Sequence, residues 1–118
     1  DFLCDAQQAI ARGYDHAFLL DPKCQHLKRP AATLVSGDGE LAMHLSTTLP
    51  SLQFYSGNFL DGSNIGKGGV AYGHRTGFCL ETQHFPDSPN KPQFPTTILR
   101  PGQTLRSETV YRFSVRPR

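Results

Sequence analysis

The sequence lacks any long hydrophobic run, since no stretch approaches the roughly 20 apolar residues needed to span a membrane. Its first residues, DFLCDAQQ, have neither the basic start nor the apolar core of a signal peptide. The sequence also lacks an excess of charge of one sign. The net charge is only +2 and the basic residues are scattered, which is atypical of nucleic-acid binding. Neither a membrane nor a nucleic acid is therefore an expected partner.

Cysteine is also scarce. The three cysteines, Cys4, Cys24 and Cys79, are odd in number and far apart, which argues against a disulfide framework and a zinc knuckle. A chain without a pattern of paired cysteines suits a reducing compartment, so we expect a cytoplasmic protein.

Helical periodicity is almost absent, whereas short strands and turn signals follow one another closely. With 37% hydrophobic and 19% charged residues, the composition is that of a soluble globular domain or part of one. This pattern predicts an all-β fold, an antiparallel β-sandwich. Asp5 could cap a short helical turn within Asp1 to Ala11. The predicted strands are Gly13 to Leu20, Ala31 to Ser36, Glu40 to Thr48, Leu52 to Tyr55, Gly77 to Phe85, Thr96 to Leu99 and Ser107 to Val115.

Two strands alternate clearly enough to predict which side chains point inward. The inward residues are expected to be Leu41, Met43 and Leu45 on one strand, and Thr109, Tyr111, Phe113 and Val115 on the other. Between them, Gly57 to Gly73 holds six glycines. A phosphate-binding loop needs Ser or Thr after its lysine, and here Gly68 follows Lys67, so we predict a mobile surface loop instead.

The segment GFCLETQHFPDSPN, Gly77 to Asn90, places a carboxylate in the middle of a strand. Apolar and polar residues nearly alternate up to Phe85, and Pro86 then introduces a turn. Burying an unpaired charge is costly, so Glu81 either reaches water or faces a polar ligand. Spacing alone favours a solvent-facing glutamate.

The amino-acid sequence of the segment as a whole favours a functional role for Glu81 instead. ETQHFPDSPN resembles the signature around the catalytic glutamate of the galactose mutarotase (aldose 1-epimerase) family. Three further segments resemble the same family in the right order: GYDHAFLL from Gly13, LQFYSGNFLDG from Leu52 and FPTTILRPGQTLRSETVYRF from Phe94. The resemblance implies a large antiparallel β-sandwich of galactose mutarotase type. Because it covers only the C-terminal portion of such chains, we expect residues 1–118 to be part of a single domain whose upstream part is missing.

The resemblance also implies roles for three residues. Glu81 matches the general base, which takes a proton from the sugar's C1 hydroxyl. Asp15 matches an aspartate that accepts hydrogen bonds from sugar hydroxyls, and Gln53 matches a sugar-contacting glutamine. Each residue also has a simpler interpretation. Glu81 could be an exposed carboxylate on a strand, Asp15 a turn or cap residue, and Gln53 an ordinary polar residue of a strand. No cofactor and no metal are implied.

The family's acid, a histidine in an Asn-His-x-Tyr-Phe-Asn motif, has no counterpart here. The five histidines have different neighbours, and a second histidine and an arginine that bind sugar in the family are missing as well. We therefore expect about half of an active site, and a segment that is inactive alone. An incomplete sandwich has unpaired edges, so we also expect it to self-associate or to need the upstream part.

Other residues receive simpler interpretations. Tyr55 and Phe85 are more typical of core packing than of a sugar platform, and Asn58 is expected to order the loop after its strand. His84 lies three residues after Glu81, so the two should occupy opposite faces and not bind a metal together. Cys79 is expected to be a small buried hydrophobe.

Two functions of different class follow. The first is an aldose 1-epimerase acting on galactose and glucose. The second is a non-catalytic carbohydrate-binding β-sandwich, since one fold serves both. A base at Glu81 favours the enzyme, because a binding module does not need one. A hexose-6-phosphate epimerase would be expected to add a cluster of basic residues for the phosphate, and no such cluster lies near these motifs.

Overall fold

A computed structural model describes residues 12–115 of the chain. The strands are β1 (Asp15–Leu19), β2 (Ala32–Val35), β3 (Leu41–Thr47), β4 (Ser51–Tyr55), β5 (Cys79–Gln83) and β6 (Thr109–Val115). Three short 3₁₀ turns, Pro22–Cys24, Lys67–Gly69 and Ser88–Asn90, are the helical elements of the described part. The prediction of an all-β, antiparallel fold is confirmed. The predicted helical turn at Asp1 to Ala11 lies outside the described residues.

The described residues form two compact units. The first consists of the segment up to Phe18 together with Leu52–Glu81, and the second of Leu19–Ser51 together with the segment from Thr82 onward. None of the helices in the described part of the chain is long and apolar enough to cross a membrane.

The first unit contains most of a sheet with the strand order β1-β4-β5. Aromatic rings line one face of this sheet. The ring of Phe54 in β4 lies 5.1 Å from that of Tyr14 and 6.4 Å from that of Phe78. The ring of His16 in β1 adds an edge contact to Tyr14 at 5.7 Å. Because side chains alternate along a strand, the residues beside these rings must occupy the opposite face.

The glycine-rich loop of the first unit lies at the surface, as predicted. Its backbone is paired across the loop, since Gly62 N–H donates to the Tyr72 carbonyl and Gly66 N–H donates to the Val70 carbonyl. The ring of Tyr72 packs directly over Gly66, so a larger residue at this position would displace that ring. Between Lys67–Gly69 and β5 the chain forms no helix, whereas a helix directly follows a phosphate-binding loop.

The second unit contains the antiparallel sheet β2-β3-β6. The register of β2 and β3 runs from Ala32 opposite Leu45 to Val35 opposite Ala42, and β6 pairs along the whole of β3. The predicted hairpin turn at Gly37-Asp38-Gly39 joins β2 to β3. There the Ser36 hydroxyl and the Glu40 N–H both donate to the Asp38 carboxylate, and these bonds lower the pKa of its carboxyl group.

The predicted burial of the sheet residues is only partly correct. Leu45 is fully buried, but Leu41 is 46% exposed, whereas Ala42, which alternation places on the other face from Leu41, is only 4% exposed. On β6 three of the four residues expected to point inward are exposed instead: Tyr111 by 47%, Phe113 by 61% and Val115 by 79%. The fourth, Thr109, is half-buried. Alternation predicts which residues share a face, but it does not say what covers that face, and the described residues of this unit leave it open.

The predicted strand at Thr96 to Leu99 is wrong, since these residues belong to no strand. Pro95 and Pro101 lie on either side of the segment, and Ile98 and Leu99 are 63% and 57% exposed. A strand needs a neighbouring edge to satisfy its backbone groups, and hydrophobic residues alone do not provide one.

A chain of threonine hydroxyls stabilises the second unit. The Thr109 hydroxyl in β6 lies 3.2 Å from that of Thr47 and 2.7 Å from that of Thr82. Thr47 is fully buried, and its hydroxyl also accepts the N–H of Leu49 at 3.1 Å. A buried hydroxyl needs a partner, so Thr109 serves two others at once.

Replacing Thr109→Val should lower the free energy of unfolding of the protein by about 1–3 kcal/mol, because buried polar groups lose a partner while shape is kept. Urea denaturation measures the change. The control is Thr97→Val, at an exposed position outside any strand, which should change stability by less than about 0.5 kcal/mol. Equal effects of the two substitutions would contradict the structural importance of the hydroxyl chain.

Candidate functional site

Two of the three residues singled out from the sequence contact each other directly. Asp15 lies at the start of β1 and Gln53 lies in β4, the neighbouring strand. The Gln53 amide Nε2 donates to Asp15 Oδ1 at 2.6 Å, and both side chains are half-buried. The pair thus presents a carboxylate and an amide at one place on the sheet, although 38 residues separate them in sequence.

The third residue, Glu81, lies in the middle of β5, on the other side of β4. The ring contact between Phe54 and Phe78 marks one face of these two strands. Alternation from Phe54 places Gln53 on the opposite face, and alternation from Phe78 places Glu81 there too. Three adjacent strands therefore contribute Asp15, Gln53 and Glu81 to the same face of the sheet.

Glu81 is exposed among the described residues, as its spacing alone predicted. An exposed carboxylate can meet a ligand without first giving up an internal partner. The same exposure is found at Cys79, two residues earlier on the same face. The prediction that Cys79 is a buried hydrophobe is therefore wrong, because no described residue covers this part of the face.

The backbone beside Asp15 is held by residues that follow β4. Tyr14 N–H donates to the Ser56 hydroxyl at 3.0 Å, and the Asn58 amide Nδ2 donates to the Tyr14 carbonyl at 2.7 Å. The Ser56 hydroxyl in turn donates to Asn58 Oδ1 at 2.5 Å. Asn58 is only 3% exposed. The prediction that Asn58 orders the loop after its strand is confirmed, whereas the contribution of Ser56 was missed.

Two glycines allow this close arrangement. A Cβ on Gly13 would lie 2.2 Å from Asn58 Oδ1, so any larger residue would push the amide away. Gly57, between Ser56 and Asn58, has a φ of 66°, a left-handed conformation that favours glycine. The Ser-Gly-Asn sequence after a strand is the signal that could have revealed the turn.

Tyr55 and Phe85 act as packing groups. The hydroxyl of Tyr55 accepts the N–H of Phe59 at 3.2 Å. In the second unit, the ring of Phe85 lies 5.1 Å from that of Phe94. These contacts agree with the interpretation of both residues as structural.

The chemistry of this face suits a ligand rich in hydroxyl groups. Asp15 offers oxygens that accept hydrogen bonds, Gln53 offers both a donor and an acceptor, and Glu81 offers a carboxylate that can accept a proton. Within residues 12–115, no group of three His, Cys, Asp or Glu side chains is placed to hold a metal ion.

Comparison with known proteins identifies a family and several relatives that the chain resembles. The family model described as aldose 1-epimerase matches residues 3–112 of the chain. Galactose mutarotase of Bos taurus is 42% identical over 109 residues, which is 92% of this chain and 31% of that protein. Aldose 1-epimerase of Escherichia coli is 45% identical over 115 residues, which is 96% of this chain and 33% of that protein.

A solved structure has the same fold. The crystal structure of the GalM/aldose epimerase homologue from C. elegans superposes with a TM-score of 0.70 at 28% identity. The match covers 86% of this chain and 30% of the other. The chain thus spans about a third of the length of the curated relatives that it matches.

The contact between Asp15 and Gln53 can be tested by reversing its hydrogen bond. Gln53→Glu replaces a donating amide by a carboxylate facing a carboxylate, so the free energy of unfolding at pH 7 should fall by about 1–3 kcal/mol. Adding Asp15→Asn should restore most of the loss, because the new amide can donate to the new carboxylate. Urea denaturation of the two variants measures both effects.

The matched control is Gln103→Glu. The side chain of Gln103 is exposed and accepts the N–H of Arg100 through Oε1 at 2.8 Å, a bond that a carboxylate can keep. This substitution should leave stability unchanged within about 0.5 kcal/mol. If Asp15→Asn fails to rescue Gln53→Glu, the direct contact is not the cause of the loss.

Proposed function

Because the chain belongs to the aldose 1-epimerase family, we propose that the protein of which it is part interconverts the α and β anomers of an aldose. Galactose and glucose are the proposed substrates, and neither a cofactor nor a metal is required. The observation that carries the proposal is the shared face of Asp15, Gln53 and Glu81 on three adjacent strands. The relatives are named galactose mutarotase and aldose 1-epimerase, and both names denote isomerases.

Glu81 is the proposed general base. It removes the proton from the C1 hydroxyl while an acid protonates the ring oxygen, so the bond from C1 to the ring oxygen breaks and an open aldehyde forms. Rotation about the C1–C2 bond presents the other face of the aldehyde. The ring oxygen then attacks C1 and returns its proton to the acid's conjugate base, and Glu81 returns its proton to the C1 oxygen. No proton is gained or lost overall.

Asp15 and Gln53 are the proposed sugar-binding residues. A carboxylate can accept hydrogen bonds from neighbouring hydroxyls, and bonds to a charged acceptor are the stronger kind. The Gln53 amide, already bonded to Asp15 Oδ1, holds that carboxylate in one orientation. Their half-buried position supports this role, because a hydrogen bond is electrostatically stronger in a partly desolvated place than in water.

The acid is proposed to be a histidine outside residues 1–118, which we take to be the C-terminal portion of a single domain. The exposed apolar side chains of Tyr111, Phe113 and Val115 support this, because large exposed apolar patches usually have a partner surface. The segment alone is then expected to be inactive and prone to self-association. A cytoplasmic location is proposed from the free thiols of Cys24 and Cys79.

Polarimetry of freshly dissolved α-D-galactose tests the proposal. The complete protein should accelerate the approach to the equilibrium rotation, and residues 1–118 alone should not. Acceleration by the segment alone would overturn the assignment of the acid to another part of the chain. If the complete protein binds galactose but does not accelerate mutarotation, it is a carbohydrate-binding module and not an enzyme.

The Glu81→Gln variant tests the proposed base. In the complete protein it should lower kcat by about 100- to 10,000-fold, the range typical of general acid–base groups. The Kd for galactose, measured by titration calorimetry, should change by less than about twofold. Glu40→Gln, which removes a carboxylate at the β2–β3 hairpin, should leave both quantities unchanged. Retained turnover in Glu81→Gln would rule out this base.

A further inference from the structure

The peptide group that joins Tyr14 to Asp15 is hydrogen-bonded at both of its ends. Its carbonyl oxygen accepts the Asn58 Nδ2 at 2.7 Å and the Ser56 N–H at 3.0 Å. Its N–H, on Asp15, donates to His16 Nδ1 at 2.9 Å. A peptide plane held from both sides cannot rotate freely, so the direction in which the Asp15 side chain leaves the backbone is restricted.

The preceding N–H is held by the same pair of side chains. Tyr14 N–H donates to Ser56 Oγ at 3.0 Å, and the single hydroxyl proton of Ser56 is then used in the 2.5 Å bond to Asn58 Oδ1. Asn58 therefore donates directly to the carbonyl of Tyr14, and it accepts from the Ser56 hydroxyl that holds the N–H of Tyr14. This is a closed ring of three hydrogen bonds around the backbone of Tyr14.

Asn58 is the rigid centre of this ring. It is 3% exposed, and a buried amide is tolerated only when its polar atoms have partners. Its backbone carbonyl also lies 3.1 Å from His74 Nδ1, which anchors the turn from the other side. An amide that is itself immobile can hold a neighbouring peptide in one position.

We propose that Ser56 and Asn58 are positioning residues for the sugar site: they fix the backbone at Tyr14 so that the Asp15 carboxylate meets both Gln53 and the sugar hydroxyls. This proposal rests on the proposed function, because it takes Asp15 as a sugar-binding residue. Neither positioning residue touches the sugar. A displacement of about 1 Å can cost about 100-fold in rate. A displaced Asp15 carboxylate would also lose its hydrogen bonds to the sugar, so the ring contributes to the affinity of the site.

The test is Asn58→Asp in the complete protein. The substitution keeps the shape and the acceptor for Ser56 but replaces the donor that faces the Tyr14 carbonyl with an oxygen. The KM for α-D-galactose should rise about tenfold while kcat stays within about twofold. Asp15→Asn should raise KM by at least as much, and the double variant should be no worse than Asp15→Asn alone, because coupled residues are not additive.

Thr109→Val is the control for loss of stability as such. It weakens the second unit without contacting Tyr14, Ser56 or Asn58, so KM should not change even if the free energy of unfolding falls. Ser56→Ala is the second variant in case Asn58→Asp does not fold. It removes the acceptor for Tyr14 N–H and should raise KM by severalfold through the same route.

Each outcome decides the question. If the effects of Asn58→Asp and Asp15→Asn add up, or if Thr109→Val raises KM equally, the ring is a general structural feature and the proposal is overturned. If the unmodified protein does not accelerate mutarotation, the proposed enzymatic function is wrong. The Kd for galactose is then measured by titration calorimetry for the same double-mutant cycle, which consists of Asn58→Asp, Asp15→Asn and the double variant. A non-additive cycle in Kd would keep the positioning role, and an additive cycle or no binding at all would refute it.

Discussion

The alternation of side chains along β1, β4 and β5 is the constraint on which the first unit depends. Once Phe54 packs against Tyr14 and Phe78, every second residue of these strands is committed to the aromatic face. The residues between them are left for the other face, where Gln53 and Glu81 lie. The aromatic contacts therefore place the polar side chains without touching them. A shift of one residue in the pairing register of any of these strands would move all side chains of that strand to the opposite face.

Buried polar groups fix the positions of neighbouring segments more narrowly than apolar packing does. Ser51 is 1% exposed and its hydroxyl donates to the carbonyls of Gln83 and His84 at 2.9 and 3.1 Å. Thr47 and Asn58 are buried and satisfied in the same manner. No side-chain polar atom buried among the described residues lacks a partner. Such groups contribute modestly to stability, but leaving one unpaired is costly, so they permit one arrangement and penalise neighbouring ones.

The two units differ in how closely they match the sequence analysis. In the first, the strands and the candidate residues lie where the sequence placed them. In the second, the register of β3 with β6 is regular, yet Tyr111, Phe113 and Val115 remain exposed. A local pattern records that residues share a face, whereas burial depends on what else reaches that face. The same reason explains the exposed thiol of Cys79, whose apolar character had suggested burial.

The sequence by itself predicted the fold class, most strand positions and the β2–β3 hairpin, because these depend on local periodicity and turn chemistry. The three candidate residues were predicted through the resemblance of short segments to a known family. Tertiary structure alone decided that Gln53 donates to Asp15, since a contact across 38 residues follows from strand pairing and not from local preference. It also decided that Asn58 and Ser56 enclose the backbone of Tyr14. Hydrogen bonds need distance and direction together, and only the paired strands bring those atoms within reach of one another.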